Sequence, residues 1–437
     1  MRRISIVLIM IVAATFGVNA QNTLSLEEAI QVALENNYSI KIAKNEVELN
    51  DNNLTLGNAG FLPSLIADYQ RSYGNQSYEQ QRATGDLNTG DNVKSNRQAI
   101  SATLNWTVFD GLKMFTTFDQ LAVLSRQSEE NLQANIELLI YNITAAYYSA
   151  AQEKERLLSF TSNVGLSEER LQIANDKYQL GKASKLEFLQ AKVDLNTDKS
   201  SLIQQKELLA VRKYELLRLM AVKNDSINFT LNYEVVNDTT LILPSLLDKL
   251  DMQNPQLLAL KREQTIAMYN EKLAKGDLLP QVDLFATYTR SNFETPAGFA
   301  LSGNSRDLTY GVSASWTLFN GLNVWRRAQN AKILSETTMY QYEDQLIEFE
   351  TTVKTTYINY QNNLELLKLE EANLDVAKEN NEIAKERYDI GLSNPVELRE
   401  SQVNLVNAQI RYQNAAFAAK QAEVQLKYLS GLLIQEE

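Results

Sequence analysis

The sequence predicts a mainly α-helical fold with a smaller β part, built from one unit used twice. Three observations predict it. A seven-residue signature occurs as Trp106-Thr-Val-Phe-Asp-Gly-Leu112 and again as Trp316-Thr-Leu-Phe-Asn-Gly-Leu322. The residues leading into each copy alternate apolar and polar, the period of a strand whose faces see different surroundings. Beyond each glycine the pattern changes to long runs of helical spacing, with few residues that break a helix.

The duplication is read from spacing. Trp106 and Trp316, Gly111 and Gly321, Tyr178 and Tyr388, Gly181 and Gly391, and Glu187 and Glu397 are each 210 residues apart. Pro63 and Pro280 are 217 apart, which assigns seven extra residues to an exposed loop of the first copy. Landmarks held in register over such a distance are the mark of a repeated structural unit.

In chain order, residues 1–20 read as a secretory signal: Arg2 and Arg3, an apolar run from Ile4 to Phe16, and a small-residue cleavage site at Val18-Asn19-Ala20. Residues 21–222 form the first repeat. A capping box at Ser25-Leu-Glu-Glu28 opens a helix to about Asn58. Phe61-Leu62-Pro63 ends it, and a strand follows in which Leu65, Ala67, Tyr69 and Tyr73 share a face while Ile66 and Arg71 break the pattern. Residues 74–96, rich in Gly, Asn, Gln and Ser, read as a long exposed loop. A second strand, about 98–108, leads to the first signature. Helix is predicted from Leu112 to about Tyr178, interrupted by a polar patch near Ser162–Gly165. A turn at Gly181 and a helix from Ser184 to about Val222 complete the repeat.

Residues 223–243 read as an irregular linker with room for a short strand. The second repeat, 244–433, follows the same order: a helix over about 246–275, Leu278-Leu279-Pro280, a strand, a polar loop at 290–306, a fourth strand, a long helix to Tyr388, a turn at Gly391 and a last helix. Residues 434–437 are a tail. In the last helix Leu398, Leu405, Tyr412, Ala419 and Leu426 recur every seven residues, with Ser401, Ala408, Ala415, Ala422 and Leu429 three later. Such a seam suits coiled-coil partners that approach closely. The equivalent helix carries Phe188, Leu195, Leu202, Leu209 and Leu216, but its second row contains Asp198, Gln205 and Arg212, which predicts a wet side. A helix over 322–388 would extend about 100 Å.

Composition excludes several classes of function. The chain of 437 residues has a net charge of −12 and no clustered basic stretch, against a nucleic-acid partner. It has no cysteine and no histidine, which removes disulfides, thiolate nucleophiles, the commonest general base and the commonest transition-metal ligand. An enzyme, a cofactor and a metal site are therefore not expected. No segment beyond the leader reaches the length of a membrane helix, so any membrane insertion is through strands. Four strands cannot close a barrel, and an open edge in lipid leaves backbone groups unpaired at several kcal/mol each. Several chains must share one barrel, and three would supply twelve strands. Trp106 and Trp316 fall where an aromatic girdle would sit; ordinary core at a sheet–helix junction is the other reading. A secreted coiled-coil scaffold without a pore would explain the heptads but not the alternating strands.

The order helix, Leu-Pro, strand, loop, strand, Trp-x-[Leu/Val]-Phe-x-Gly, helix, with the Tyr-x-x-Gly turns at 178–181 and 388–391, resembles the TolC family of outer-membrane efflux proteins. The resemblance covers essentially the whole mature chain. It implies a homotrimer in the outer membrane of a Gram-negative bacterium: a shared twelve-stranded β-barrel continued by a trimeric α-helical barrel through the periplasm. Partners would be a periplasmic adaptor and an inner-membrane efflux pump or ABC exporter, in an efflux or type I secretion system. The turns with Tyr178, Gly181, Ser184, Glu187, Tyr388, Gly391 and Ser393 would be hairpin tips, where the adaptor docks and the tunnel closes. Glu397 and Glu400 match the acids that ring the narrowest aperture, although an acidic pair can also be a solvated face. Glu187 and Tyr388 match two members of a closing link. Its arginine position is Ser393 here, with Lys182 and Lys185 as candidate replacements.

Overall fold

The computed structural model describes residues 22–81, 83–223, 227–295 and 301–433. The leader at 1–20 and the tail at 434–437 lie outside them. The chain forms two compact units: one from the residues up to Tyr38, Leu138–Leu241 and Thr356–Tyr428, the other from Ser39–Glu137, Ile242–Thr355 and the chain from Leu429.

In the second unit, β2 (Ser64–Gln81), β3 (Leu87–Phe109), β5 (Gln281–Glu294) and β6 (Ser302–Ser315) form one antiparallel sheet in the order β2-β3-β5-β6. The register gives its faces. Leu65, Leu104, Ala286 and Tyr310 stand in one transverse row, and Ala67, Ala102, Tyr288 and Leu308 in the next row on that face. The intervening row on the other face is Ile66, Thr103, Thr287 and Thr309. One face is thus largely apolar and the other mostly hydroxyl-bearing, as period two requires. Among the described residues, β2 and β6 each keep one edge without a strand partner.

The strands are longer than the loop-rich composition suggests. Gly74–Gln81 and Leu87–Ser95, expected in a loop over 74–96, pair with each other as a two-stranded ribbon that turns at Gly85. The loop expected at 290–306 is likewise mostly strand, since β5 and β6 pair out to Glu294 and Ser302. Ladder hydrogen bonds satisfy these polar segments without an apolar face, which is the signal that alternation detects.

Each Trp signature closes the same way. The indole N–H of Trp106 donates to Phe61 O at 2.9 Å, and that of Trp316 to Leu278 O at 3.0 Å, so each ring fastens the end of a strand to the Leu-Pro turn. Exposures of 40% and 60% are not those of core residues. The glycine and leucine ending each signature adopt left-handed backbone, with φ of 77° and 66° at Gly111-Leu112 and 70° and 63° at Gly321-Leu322.

The capping box forms: Glu28 N donates to Ser25 Oγ and Ser25 N to Glu28 Oε2. The helix expected to reach Asn58 is instead α1 (Leu26–Asn36) and α2 (Tyr38–Asn53), broken at Asn37 with ψ 131°. Its counterpart is also two helices, α5 (Leu243–Gln253) and α6 (Pro255–Gly276). Asn254 precedes a proline and is driven out of the helical region; its side chain then caps α6 by accepting from Leu257 N. The linker supplies β4 (Phe229–Leu231), parallel to β1 (Asn22–Leu24), a strand the sequence did not suggest. The Tyr147 hydroxyl lies between Leu24 O (2.8 Å) and Asn232 O (2.5 Å) and pins the pair.

Four long helices make up nearly half of the chain: α3 (Lys113–Gln179), α4 (Lys185–Leu219), α7 (Asn323–Asp389) and α8 (Pro395–Leu429). α3 is unbroken over 67 residues. The interruption expected at Ser162–Gly165 is absent: the helix runs through the patch, with Asn163 and Val164 buried and Ser162 and Gly165 facing outward. The small-residue row of α8, Ser401, Ala408, Ala415, Ala422 and Leu429, is buried throughout. The wet side expected on α4 is dry at two of its three positions, and only Arg212, paired with Glu215, keeps its side chain partly in water. Asp198 and Gln205 are each 6% exposed, and Gln205 Nε2 donates to Glu153 O at 3.0 Å and Glu153 Oε2 at 2.7 Å. A polar residue in a seam is stable when its partner is also in the seam.

Candidate functional site

The site lies in the first unit, where α3 turns into α4 and α7 into α8. Both turns use one local solution. Gly181 N donates to Tyr178 O at 3.0 Å and Lys182 N to Lys177 O at 2.8 Å; in the second copy Gly391 N donates to Tyr388 O at 3.2 Å and Leu392 N to Arg387 O at 2.8 Å. The 6→1 and 5→2 bonds satisfy the last carbonyls of each long helix. They require a left-handed residue, supplied by Gly181 at φ 73° and Gly391 at φ 81°. The next helix is then capped, by Ser184 Oγ accepting from Glu187 N at 3.2 Å and by Asn394 Oδ1 accepting from Glu397 N at 2.9 Å.

Around these turns the expected residues separate into three groups. Tyr388 is 2% exposed and packs with Ala384, Leu398 and Ile173. Lys177 Nζ donates to Tyr388 O at 3.0 Å and stands 3.7 Å from its ring centroid, so the cation that reaches this tyrosine comes from α3. Lys182 and Lys185, the candidate replacements for the arginine, are exposed. Burial, reinforced by the charge of Glu187, pushes the Tyr388 phenol above its usual value.

Tyr178, Glu187 and Ser393 have local partners. Tyr178 stacks on Phe188 with centroids 6.0 Å apart. Glu187 Oε1 is 3.5 Å from its own cap Ser184 Oγ, and the Ser393 hydroxyl is 3.5 Å from the neighbouring Asn394 O. Glu187 and Tyr388 do line one cleft of 570 Å³, together with Arg170, Asp194, Val396 and Arg399 among others. The acids on α8 differ from each other. Glu397 Oε1 is 3.5 Å from Arg387 Nε, across the second turn, whereas Glu400 is exposed one turn further on.

The strongest polar link in the region was not singled out from the sequence. Arg399 on α8 holds Asp198 on α4 through two hydrogen bonds, Nη1 to Oδ2 at 2.7 Å and Nη2 to Oδ1 at 2.9 Å. Ser167 on α3 donates a short third bond to Asp198. Burial works to raise the Asp198 pKa, but the bonds from Arg399 and Ser167 outweigh it and hold the carboxyl below its usual range. Arg170 on α3 pairs with Asp194 on α4 at 2.8 Å, and burial lowers its pKa. The heptad position of Asp198 was the available signal, because a charge in a seam asks for a partner. Arg399–Asp198 is a charged, partly buried fastening between the two helical hairpins, while Arg170–Asp194 and Ser167–Asp198 tie the two helices of the first hairpin to each other. Among the described residues no group of His, Cys, Asp or Glu side chains is placed to hold a metal ion.

Comparison with known proteins agrees with this architecture. The model of the family described as outer membrane efflux protein matches residues 29–222 and 246–432. The two matches start 217 apart and end 210 apart, the offsets read from the landmarks. The alkaline protease secretion protein AprF of Pseudomonas aeruginosa is 21% identical over 94% of this chain and 85% of its own length. The outer membrane protein TolC of Vibrio cholerae is 20% identical over 80% of this chain and 81% of its own. Among solved structures, the Campylobacter jejuni CmeC outer membrane channel superposes with a TM-score of 0.80 at 19% identity, covering 93% of this chain and 85% of that one.

Proposed function

The chain belongs to the outer membrane efflux protein family, and from that premise we propose that three copies join their sheets into one twelve-stranded barrel. The observation that carries this reading is a four-stranded sheet with one apolar face and two open edges, β2 and β6. In lipid those edges demand partners, and an identical chain offers the complementary edge. The apolar face then meets the bilayer and the hydroxyl-bearing face lines a wet pore. The helices extend the pore through the periplasm toward an adaptor and an inner-membrane pump or exporter, which supply the cargo. Small molecules and polypeptides both fit a passage of this kind. AprF is named for secretion of a protease, while another relative, BepC of Brucella suis, is named an efflux protein.

In this reading the hairpin turns form the periplasmic mouth. Arg399–Asp198 and Arg170–Asp194 hold the resting position, and Tyr388 is the buried pivot against which Lys177 rests. Glu397 and Glu400, repeated in three copies, give the aperture a negative field that favours cations. Trp106 and Trp316 sit at the membrane boundary, where amphipathic rings are favoured. The test is conductance of the detergent-purified chain in planar bilayers, with the oligomer mass measured in the same preparation. A trimer that conducts, and whose block by divalent cations weakens in E397Q/E400Q, is the expected result. A monomer that is soluble without detergent overturns the pore, and unchanged block in a conducting trimer removes the two acids from the aperture.

A further inference from the structure

The apolar face of the sheet ends on arginine. Arg290 on β5 lies directly opposite Arg306 on β6, in the row completed by Ile100 and Tyr69. Arg71 on β2 stands one row further toward the hairpin turns, on the same face, its guanidinium 5.1 Å from the Tyr73 ring centroid. All three are exposed. Asp68 and Asp307 share the adjacent row, on the opposite face, and the acid on the arginine face, Glu294, stands two rows beyond the Arg290–Arg306 pair toward the turns. No salt bridge neutralises any of the three among the described residues.

Two like charges directly opposite on one face destabilise an antiparallel pair. A cation on the lipid side of a barrel is costly at mid-depth and tolerated near the interface. The position meets the second condition: rows toward the helix-connected end of the strands are apolar, and rows toward the turns are polar, with Gln98, Asn292 and Asn304 beside Arg71. What removes the first cost is an anion between the forks. Guanidinium groups match phosphate oxygens in pairs, which a lysine does not.

We propose that Arg290 and Arg306, with Arg71 beside them, clamp the phosphorylated headgroup of an outer-leaflet lipid against the rim of the barrel. The inference rests on the reading of this sheet as part of a membrane barrel, with the hairpin turns on the outer side. It adds a lipid site that is separate from the pore and from the periplasmic mouth.

The experiment uses the full chain purified as its oligomer in neutral detergent. Retention of added diphosphoryl lipid A is measured after exhaustive detergent exchange, beside the dephosphorylated lipid and with inorganic phosphate as competitor. Wild type is expected to retain the diphosphoryl form about tenfold better than the dephosphorylated one. R290Q/R306Q drops to the dephosphorylated level, and R290K/R306K, which keeps the charge but loses the fork, falls between. Equal retention of the two lipids by wild type, or by wild type and R290Q/R306Q with the oligomer intact, overturns the lipid site and leaves the barrel standing. Full displacement by millimolar phosphate reassigns the pair to a soluble anion and also overturns it. If R290Q/R306Q does not assemble, the R290K/R306K comparison decides. A chain that needs no detergent sinks the barrel and the lipid site together.

Discussion

Arg399 grips Asp198 with two parallel hydrogen bonds, of 2.7 and 2.9 Å, and so ties α8 to α4. Asp198 is nearly buried, with 7% of its side chain exposed against 23% for Arg399. Removing one partner strands the other charge, at a cost on the order of 3 kcal/mol, whereas an apolar pair of similar volume is close to neutral. D198A and R399A are each expected to speed proteolytic cutting at the Gly181 and Gly391 turns. The double variant should be cut more slowly than the sum of the two singles implies. Strict additivity would show that the two side chains do not work as a pair.

The same contact sets a pH window. The folded-state pKa of Asp198 is held below its ordinary 3.8, so the contribution is complete above that value and disappears as the pH falls through the lower, folded-state one. Protection of the turns from an acid-active protease should therefore persist at pH 5 and fail only below about pH 4. D198N should flatten the dependence. Loss of protection already near pH 6 would assign the fastening to another group.

Equivalent glycines should not respond equally. Gly111 and Gly321 both sit at positive φ, where an alanine costs about 1–2 kcal/mol. A Cβ on Gly111 would also run into the carbonyl of Gly276, while one on Gly321 meets only Asn323 Nδ2 at 3.6 Å. G111A should lower the urea midpoint clearly more than G321A, by a further 1–3 kcal/mol for the forced shift. Equal losses would mean that the backbone conformation alone accounts for both.

What could be read in advance was whatever the repeat states twice. The Trp–Gly signatures, the Leu-Pro turns and the Tyr-x-x-Gly tips are each confirmed by their copy, down to matching hydrogen bonds. The fastening escaped for the same reason. Asp198 corresponds to Ala408 and Arg399 to Leu189, so neither partner has a counterpart to flag it. The breaks at Asn37 and Asn254 are backbone events inside amphipathic runs, which periodicity passes over; Pro255 was the only cue. The β2–β3 ribbon was hidden by its composition, since a strand with water on both faces shows no alternation.

The Trp signatures make a paired prediction. Phenylalanine at 106 or 316 keeps the ring and removes the indole N–H that serves Phe61 O or Leu278 O. Each loss should cost about 1 kcal/mol, seen as a lower unfolding midpoint in detergent, with secondary structure unchanged in far-UV circular dichroism. A midpoint shift in W106F but none in W316F would show that the second bond contributes nothing.

Glu137 on α3 is the acid least suited to its surroundings. It is 2% exposed, and its Oε2 has no hydrogen-bond partner among the described residues. Burial alone pushes its pKa from 4.5 to about 7. Because the folded state binds the proton more tightly than the unfolded chain, the contribution of Glu137 to stability is greatest below about pH 4.5 and declines as the pH rises toward 7. Above that it levels off about 3 kcal/mol lower, since each pKa unit is worth about 1.4 kcal/mol. Glutamine mimics the protonated acid and carries no charge to desolvate. E137Q should therefore match wild type at pH 4.5 and exceed it by about 3 kcal/mol at pH 8, read from urea midpoints of the purified chain. The comparison cancels every other titrating group, because the two proteins differ only here. If the difference is the same at both pH values, Glu137 is not carrying a buried charge at neutral pH, and some partner satisfies it.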